Sequence, residues 1–380
     1  MTSARMKIFA LTGKRGGYDA MRPMLLDMQA DSFFDLTVVY TDMHTLEAFG
    51  NTGGRVEGDF PNNSIKMPVP AYGSGVRSRM TALCEFQRRW ALSLTFHMPD
   101  LVLLYGDRGE VIQAAVVASQ CGIPIAHLQG GDTTGTVDDI TRGAVSKLAD
   151  LHYVSCIMSQ ASLVRQQEDG QRIAVVGDNH VDPIMRGFYD KPSTVRDILG
   201  VPKKGRLGII LLHPETSVDG EQEYLMSKIC AAADFIENLI VIYPCSDPGH
   251  GGIVQAIKDI EGERGVLVFK NIPSPTFLGL MSIADVLIGN SSCAIIEAPY
   301  FNLAAVNIGS RQTGRMQCGN CINVPSNCGS QNLEVAIHQA IGDTNSFDGM
   351  STYDMHYGEG NTGKRIIEDL KGVDLRRIKK

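Results

Sequence analysis

The feature that most constrains this chain is an alternation that runs through it twice. Short, nearly continuous apolar runs (KIFALTG, LTVVYT, LVLLYGD, IPIAHLQ, HYVSC and IAVVGD) are separated by stretches with helical spacing, among them YDAMRPMLLDMQAD, EVIQAAVVASQCG and VDDITRGAVSKLAD. The pattern then restarts with LGIILLH, NLIVIYP, VLVFKNI, DVLIGN and AAVNIG, interleaved with helices such as EQEYLMSKICAAADFI. A strand without apolar–polar alternation is buried on both faces, and crossover helices on a parallel sheet provide that burial. The expected fold class is therefore α/β: two Rossmann-like, doubly wound parallel-sheet domains facing a cleft. The 380 residues exceed what one core usually holds, about 250–300. The expected first domain spans residues 1–177 and the second 178–359, with the proline-containing stretch near 178–205 as bridge. A last helix, 360–380, is expected to pack back on the first domain.

Composition narrows the function classes. A net charge of −7 argues against nucleic acid or an anionic membrane surface as partner, so an anionic ligand must be held by local arginines and helix starts. The opening MTSARMKIFALTG has too short an apolar run for a signal peptide or a membrane span. Nine cysteines, an odd number set in apolar stretches, read as reduced thiols of a cytoplasmic protein. Cys318-Gly-Asn-Cys321 has redox or zinc spacing, but no second ligand pair accompanies it, and these read as loop cysteines. No metal and no cofactor is expected.

In open parallel sheets, ligands bind beyond the carboxyl ends of the strands. Arg15, Asp107, Arg108, Gln129 through Asp132, His213, Asp247 and Asn290-Ser291-Ser292 all fall at such ends. IGNSSCAIIEAP leads from a strand into a helix, where free N–H groups and a capping serine can hold an anion. Glu297 is suited to ribose hydroxyls, and Arg311 and Arg315 to phosphate charge. The glycines of TGKRGGYD do not fit the dinucleotide fingerprint, which excludes a nicotinamide site. A second, acidic constellation comprises Asp107, Asp132, Asp138 and Asp139, with Arg142 four residues after Asp138 on one helix face. Such carboxylates suit acid–base work. His127 and His213 are further candidates, the former also readable as a hydrogen-bonded structural histidine.

GDRGEVIQAA, HLQGGDTTGTVDDITRGAVSKLADLHYV, LLHPETS, YPCSDPGH, IGNSSCAIIEAPYFNLAAVNIGSRQTGR and YGEGNTGKRIIEDL resemble the hydrolysing UDP-N-acetylglucosamine 2-epimerases, in family order over nearly the whole chain. The resemblance implies a GT-B-like fold and release of a nucleoside diphosphate through a glycal, giving a free manno-configured sugar for sialic-acid-like pathways. It implies acid–base roles for Asp107 and Asp138, with Arg142 beside them. It assigns His213, Ser291, Ser292, Glu297 and Arg311 to the nucleotide diphosphate, with Arg15 and Arg108 closing from the first domain. It also implies a homodimer or homotetramer.

Three departures stand out. Many relatives carry a catalytic glutamate where this chain has Gln129, which cannot exchange a proton near neutral pH. The acid–base work is then expected to shift to Asp107, Asp138 or Asp132. Gly16-Gly17 and Gly143 replace larger family residues, which suggests a roomier sugar pocket, for a 2,4-diacetamido-6-deoxy sugar or another nucleotide. The rival readings are a GT-B glycosyltransferase, which has no need of acids on the LVLLYGD and IPIAHL ends, and a nucleotide-sugar sensor without turnover. The long GGDTTGTVDD insertion argues against the non-hydrolysing branch.

Overall fold

Each of the eleven apolar runs becomes a strand, and every strand pair is parallel. The computed structural model describes all residues except 1–4, 48–49, 73–75, 136–137, 216–218, 246–248, 343–354, 376 and 379–380. The chain divides into two compact units, Met1–Pro183 with Tyr357–Lys380, and Ile184–His356.

The first unit opens with β1 (Met6–Thr12), α1 (Arg15–Ala30), β2 (Phe34–Tyr40), α2 (Gly53–Asp59), β3 (Ser64–Lys66) and α3 (Val76–His97). It continues through β4 (Leu101–Tyr105), α4 (Gly109–Gln120), β5 (Ile125–Leu128), α5 (Asp138–Leu148), β6 (Leu151–Val154), α6 (Ile157–Arg165) and β7 (Ile173–Val175). The division between units falls within α7 (Val181–Met185), and the second unit goes on through α8 (Pro192–Leu199), β8 (Leu207–Leu211), α9 (Asp219–Ala232), β9 (Asn238–Ile242) and α10 (His250–Ile260). Then come β10 (Val266–Phe269), α11 (Ser274–Met281), β11 (Val286–Gly289), α12 (Cys293–Ile296), β12 (Ala305–Ile308), β13 (Cys321–Val324) and α13 (Ser330–Gly342). The last helix, α14 (Thr362–Gly372), belongs to the first unit.

The sheet orders are β3-β2-β1-β4-β5-β6-β7 and β10-β9-β8-β11-β12-β13. Both are doubly wound, and the winding reverses between β1 and β4 in one sheet and between β8 and β11 in the other. Those reversals open crevices at the carboxyl ends of the strands. Successive residues of β1 serve opposite faces. Ile8 and Ala10 pack with Met21, Met24 and Leu25 of α1, whereas Phe9 and Leu11 pack with Phe86 and Trp90 of α3 and Val111 of α4. The second sheet repeats the arrangement: Ile210 and Val241 face Met226 and Ile337, while Ile209 and Ile240 face Leu199 and Leu278. Two edge strands, β3 and β13, lay outside the apolar runs, because each is short and only half-buried. Cys321 therefore opens a strand instead of standing in a loop. Cys318 and Cys321 are free thiols, and the Cys321 thiol lies 3.3 Å from the Ala294 carbonyl oxygen of α12.

The division between units falls after Pro183 and before Tyr357, a few residues from the boundaries at 177/178 and 359/360 that the sequence suggests. The cause is a knot of hydrogen bonds that ties GDNHVDP into the first unit. Asp182 accepts the N–H groups of Thr362 and Gly363 at 3.0 and 2.8 Å, supplying acceptors at the start of α14. The Asp178 N–H reaches the Tyr357 carbonyl at 2.8 Å. Gly177, at φ +100°, lies so close that a Cβ would sit 2.9 Å from both that oxygen and the Thr362 hydroxyl. Ile366, Ile367 and Leu370 of α14 then join the apolar cluster of α1.

His127 on β5 is a structural histidine. Fully buried, it lies with Nε2 2.8 Å from the Gly106 carbonyl and Nδ1 3.0 Å from the Ser146 hydroxyl, so it fastens the end of β4 to α5. Burial pushes its pKa down to about 3, chiefly by desolvation of the imidazolium. The native state then stays unprotonated where the unfolded chain takes up a proton, so stability is full above pH 6.5 and falls as pH drops toward 3. At pH 5 the loss from this residue amounts to about 2 kcal/mol. Urea unfolding of the wild type and of His127→Gln across pH 7.5 to 4.5 checks this; the variant, lacking the titration, should show a flatter decline, and parallel curves would refute it.

Candidate functional site

In the first unit the chemistry gathers around one guanidinium. Arg142, on α5, is buried, and a buried guanidinium needs acceptors for its five N–H groups. Its acceptors come from three places: the Asp107 carboxylate just past β4, the Asp132 carbonyl in the loop after β5 at 2.8 Å, and the Asp139 carboxylate at 3.0 Å on the preceding turn of α5. Asp139 also accepts the N–H and hydroxyl of Thr134, at 2.8 and 2.7 Å, and the Gly135 N–H at 2.8 Å. It thereby organises the turn that leads into the helix. Asp138 is the first residue of the same helix. Asp107, Asp138, Asp139 and Arg142 are thus brought to one end of the sheet.

The Asp132 side chain is directed into the protein. Its carboxylate is buried and accepts the hydroxyls of Ser155 and Ser159, both at 2.6 Å, which fastens the glycine turn to the start of α6. The turn is tight: Gly131 has φ +77°, and a Cβ there would lie 2.2 Å from the Ser159 carbonyl.

Gln129 itself adopts φ +61°, a left-handed conformation uncommon for a residue with a side chain. Its N–H bonds the Tyr153 carbonyl at 3.1 Å, and its side-chain amide donates to Asp178 at 2.6 Å. Asp178 is fully buried. It accepts the backbone N–H of His180 at 2.9 Å and pairs with His180 Nδ1 at 2.7 Å, and the Tyr105 hydroxyl lies 3.2 Å from that same ring nitrogen. Burial opposes the Asp178 charge, but His180 and the amide donors outweigh it and hold the carboxyl below its ordinary range. Sequence reasoning missed this group. Its signal, two acids and a histidine directly after the strand IAVV, was present but read as the bridge between domains.

The two arginines expected to close on a nucleotide behave differently. Arg108 turns into the protein, pairing with Glu110 at 2.8 Å and Asp42 at 3.1 Å. Arg15 is the first residue of α1, half-buried, with a pKa lowered by desolvation that Asp19 partly offsets. Gly16 and Gly143 leave open space: a Cβ at Gly16 would meet nothing within 4 Å, and one at Gly143 only the Gln166 side chain at 3.6 Å.

In the second unit the candidate residues follow β8, β11 and β12. Gly289, at φ +147°, lets β11 run so close to β8 that a Cβ would lie 2.0 Å from the Leu211 carbonyl. Asn290 then pairs reciprocally with the His213 backbone, accepting its N–H at 2.7 Å and donating to its carbonyl at 2.9 Å. The Cys245 N–H donates to His213 Nδ1 at 3.1 Å, so the ring carries its proton on Nε2, a donor suited to an anionic oxygen. Glu215 accepts the N–H groups of Ser310 and Arg311 at 2.5 and 2.9 Å, and the Arg311 guanidinium bonds the Pro214 carbonyl at 3.1 Å. Glu215 was not expected from the sequence, and it fixes the loop that carries Arg311.

The helix after Asn290-Ser291-Ser292 is shorter than anticipated. It is a single turn, α12, continued by a 3-10 turn from Ala298 to Phe301, with Glu297 at the junction. Ser292 occupies the cap position without a side-chain cap hydrogen bond, so it does not cap the helix as expected. Asp247 lies outside the described residues. Among the described residues no group of three or more His, Cys, Asp or Glu side chains is disposed to hold a metal ion, and no helix is long and apolar enough to cross a membrane.

Known proteins are similar to this chain in fold and in sequence. The UDP-N-acetylglucosamine 2-epimerase from Neisseria meningitidis, solved bound to UDP-GlcNAc, superposes with a TM-score of 0.79 over 97% of this chain and 100% of that one, at 17% identity, which shows a common fold. The UDP-N,N'-diacetylbacillosamine 2-epimerase (hydrolyzing) of Legionella pneumophila is 31% identical over 370 residues, 97% of this chain and 96% of the relative. The GDP/UDP-N,N'-diacetylbacillosamine 2-epimerase (hydrolyzing) of Campylobacter jejuni is 27% identical over 84% of each chain. The sequence profile of the UDP-N-acetylglucosamine 2-epimerases matches residues 26–371, and the chain belongs to that family.

Proposed function

We propose that this protein is a hydrolysing nucleotide-sugar 2-epimerase that acts on a 2,4-diacetamido-6-deoxy sugar carried on a nucleoside diphosphate. The observation that carries the reaction class is the Arg142 cluster, where Asp107 and Asp139 meet a buried guanidinium beyond the carboxyl ends of β4 and β5. Removal and return of a proton at sugar C2 call for acid–base groups of this kind. The sugar assignment draws on the two hydrolysing relatives named for diacetylbacillosamine and on the open space at Gly16 and Gly143. The free product, with manno configuration, would feed synthesis of a nonulosonic acid.

In the proposed reaction a base removes the C2 proton, the electron pair forms the C1–C2 double bond, and the C1–O bond to the diphosphate breaks. Water then adds across the glycal: C2 gains a proton on the opposite face and C1 gains hydroxyl. Asp107 and Asp138 are the candidates for the first proton transfer, with Arg142 holding Asp107 in place. Asp132 acts as a positioning residue through Ser155 and Ser159. In the second unit, His213 Nε2, Ser291, Ser292 and Arg311 suit the diphosphate, and cation and N–H donors lower the cost of its departure. Arg15 and Glu297 are assigned to the nucleotide end.

A proton NMR time course in D2O tests the reading. With UDP-N,N'-diacetylbacillosamine, free sugar deuterated at C2 should appear together with UDP; turnover of UDP-N-acetylglucosamine at an equal rate would remove the basis for the sugar assignment, and neither product from either substrate would sink the reaction class. Asp107→Asn, which keeps the shape but loses the exchangeable proton, should lower kcat about 10²–10⁴-fold with little change in KM. Arg311→Ala should act mainly on KM, raising it about tenfold or more through loss of charged hydrogen bonds to the diphosphate; a fall confined to kcat would contradict that role.

A further inference from the structure

Inversion at C2 requires a proton to leave one face of the sugar and another to arrive on the opposite face, so a single acid–base group does not suffice. The carboxylates of the Arg142 cluster, Asp107 and Asp138, gather at one place and are assigned to the first transfer. Gln129, at the end of β5, furnishes none, since an amide has no proton to exchange near neutral pH. The Gln129 amide does, however, point at a carboxylate: its Nε2 lies 2.6 Å from Asp178. On the far side of that carboxylate lies His180, with Nδ1 2.7 Å from Oδ1.

We propose that His180, held by Asp178, is the second proton-exchanging group, delivering the proton to C2 of the glycal. This deepens the epimerase reading and rests on it. The arrangement has the parts such a role needs. With Nδ1 committed to the carboxylate, the imidazole tautomer is set and Nε2 becomes the nitrogen that handles the substrate proton, while Asp178 balances the charge when both nitrogens are protonated. Asp178 is locked in turn, by the His180 N–H at 2.9 Å, by Gln129, and by the backbone bond from its own N–H to Tyr357. His180 keeps 21% of its side chain exposed while its carboxylate partner has none. The pair abuts the ends of β4 and β5, through Tyr105 and Gln129, and Asp107 stands two residues after Tyr105. The left-handed backbone of Gln129 turns its amide onto Asp178, and residues held in such conformations concentrate at functional sites. A glutamate at 129 would set two carboxylates within hydrogen-bonding distance in a buried place, so glutamine at 129 and aspartate at 178 are matched choices.

Nε2–H gives its proton to C2 of the glycal, the oxygen of water bonds to C1, and the surplus proton of that water restores Nε2. The proton removed from C2 in the first half departs with the diphosphate.

The test separates the two half-reactions. Wild type, His180→Gln and Asp178→Asn are incubated in D2O with UDP-N,N'-diacetylbacillosamine and with UDP-N-acetylglucosamine, and free sugar, glycal and UDP are followed by NMR alongside each variant's thermal unfolding midpoint. His180→Gln should form free sugar about 100-fold more slowly or worse, yet still release UDP and accumulate glycal, with an unchanged midpoint. Asp178→Asn should show the same glycal build-up with a smaller loss. Free-sugar formation within threefold of wild type, or equal slowing of UDP release and sugar formation with no glycal, overturns the role of His180 and leaves the epimerase reading standing. A wild type that yields neither UDP nor glycal from either substrate overturns the epimerase reading, and this proposal with it.

Discussion

A guanidinium that leaves water needs acceptors, and the two Nη groups of Arg142 show how much structure that need organises, although its buried Nε has no hydrogen-bond partner among the described residues. Its partners come from the end of β4, the loop after β5 and the first turn of α5. The strand order brings these together, since β4 and β5 are neighbours and α5 follows directly. Removing one member of a buried charge pair typically costs about 3–5 kcal/mol, because the remaining charge is left without compensation. The cluster is therefore a structural obligation as well as a chemical one, and the loop Gln129–Gly135 takes its shape from it. Asp139 holds the loop's far end through Thr134 and Gly135, and Asp132 holds its middle through two serines.

The second unit meets a comparable problem with neutral groups. Among the described residues, no buried arginine anchors the end of β11. Instead the Asn290 amide reciprocates the backbone of His213, and Gly289 permits the approach that makes this possible. Glu215 then ties the loop after β12 to the loop after β8. The contrast fits the chemistry proposed for each. A proton-transfer site gains from charged groups that perturb one another, whereas a diphosphate site gains from N–H and cationic donors held in a fixed place.

Much of this architecture was legible in the sequence, for an identifiable reason. A parallel strand buried on both faces writes itself as an unbroken apolar run, so β1, β4, β8 and β11 were plain. An edge strand can escape this rule: β7 and β10 kept apolar runs, but Ser64–Lys66 and Cys321–Val324 are short, half-buried and partly polar. Likewise, the strand-end rule located Asp107, Gln129, His213 and Asn290, but could not say which way each side chain turns. Arg108 illustrates the limit. It neighbours Asp107 in sequence, yet its guanidinium is drawn to Glu110 and Asp42, partners contributed by α4 and the loop after β2. Ser155, Ser159 and Glu215 were invisible for the same reason, since their roles depend on which loops the sheet order makes adjacent.

The segment after β7 was the largest omission, and physics explains why it mattered. Gly-Asp-Asn-His-Val-Asp looks like a polar linker because linkers are polar and lie between domains. Polarity has a second cause, which is burial with partners. Asp178 and Asp182 are both buried, and each is satisfied by groups distant in sequence: Gln129 and His180 for the first, Thr362 and Gly363 of α14 for the second. A linker acid left in water would need none of these. The same short segment thus fastens the returning C-terminal helix with one carboxylate and turns the other toward the ends of β4 and β5. Once Gln129 has given up the capacity to carry a proton, the buried carboxylate that its amide touches is the natural place to look for that capacity, because a charge in a low-dielectric site is costly unless its neighbours are built to hold it.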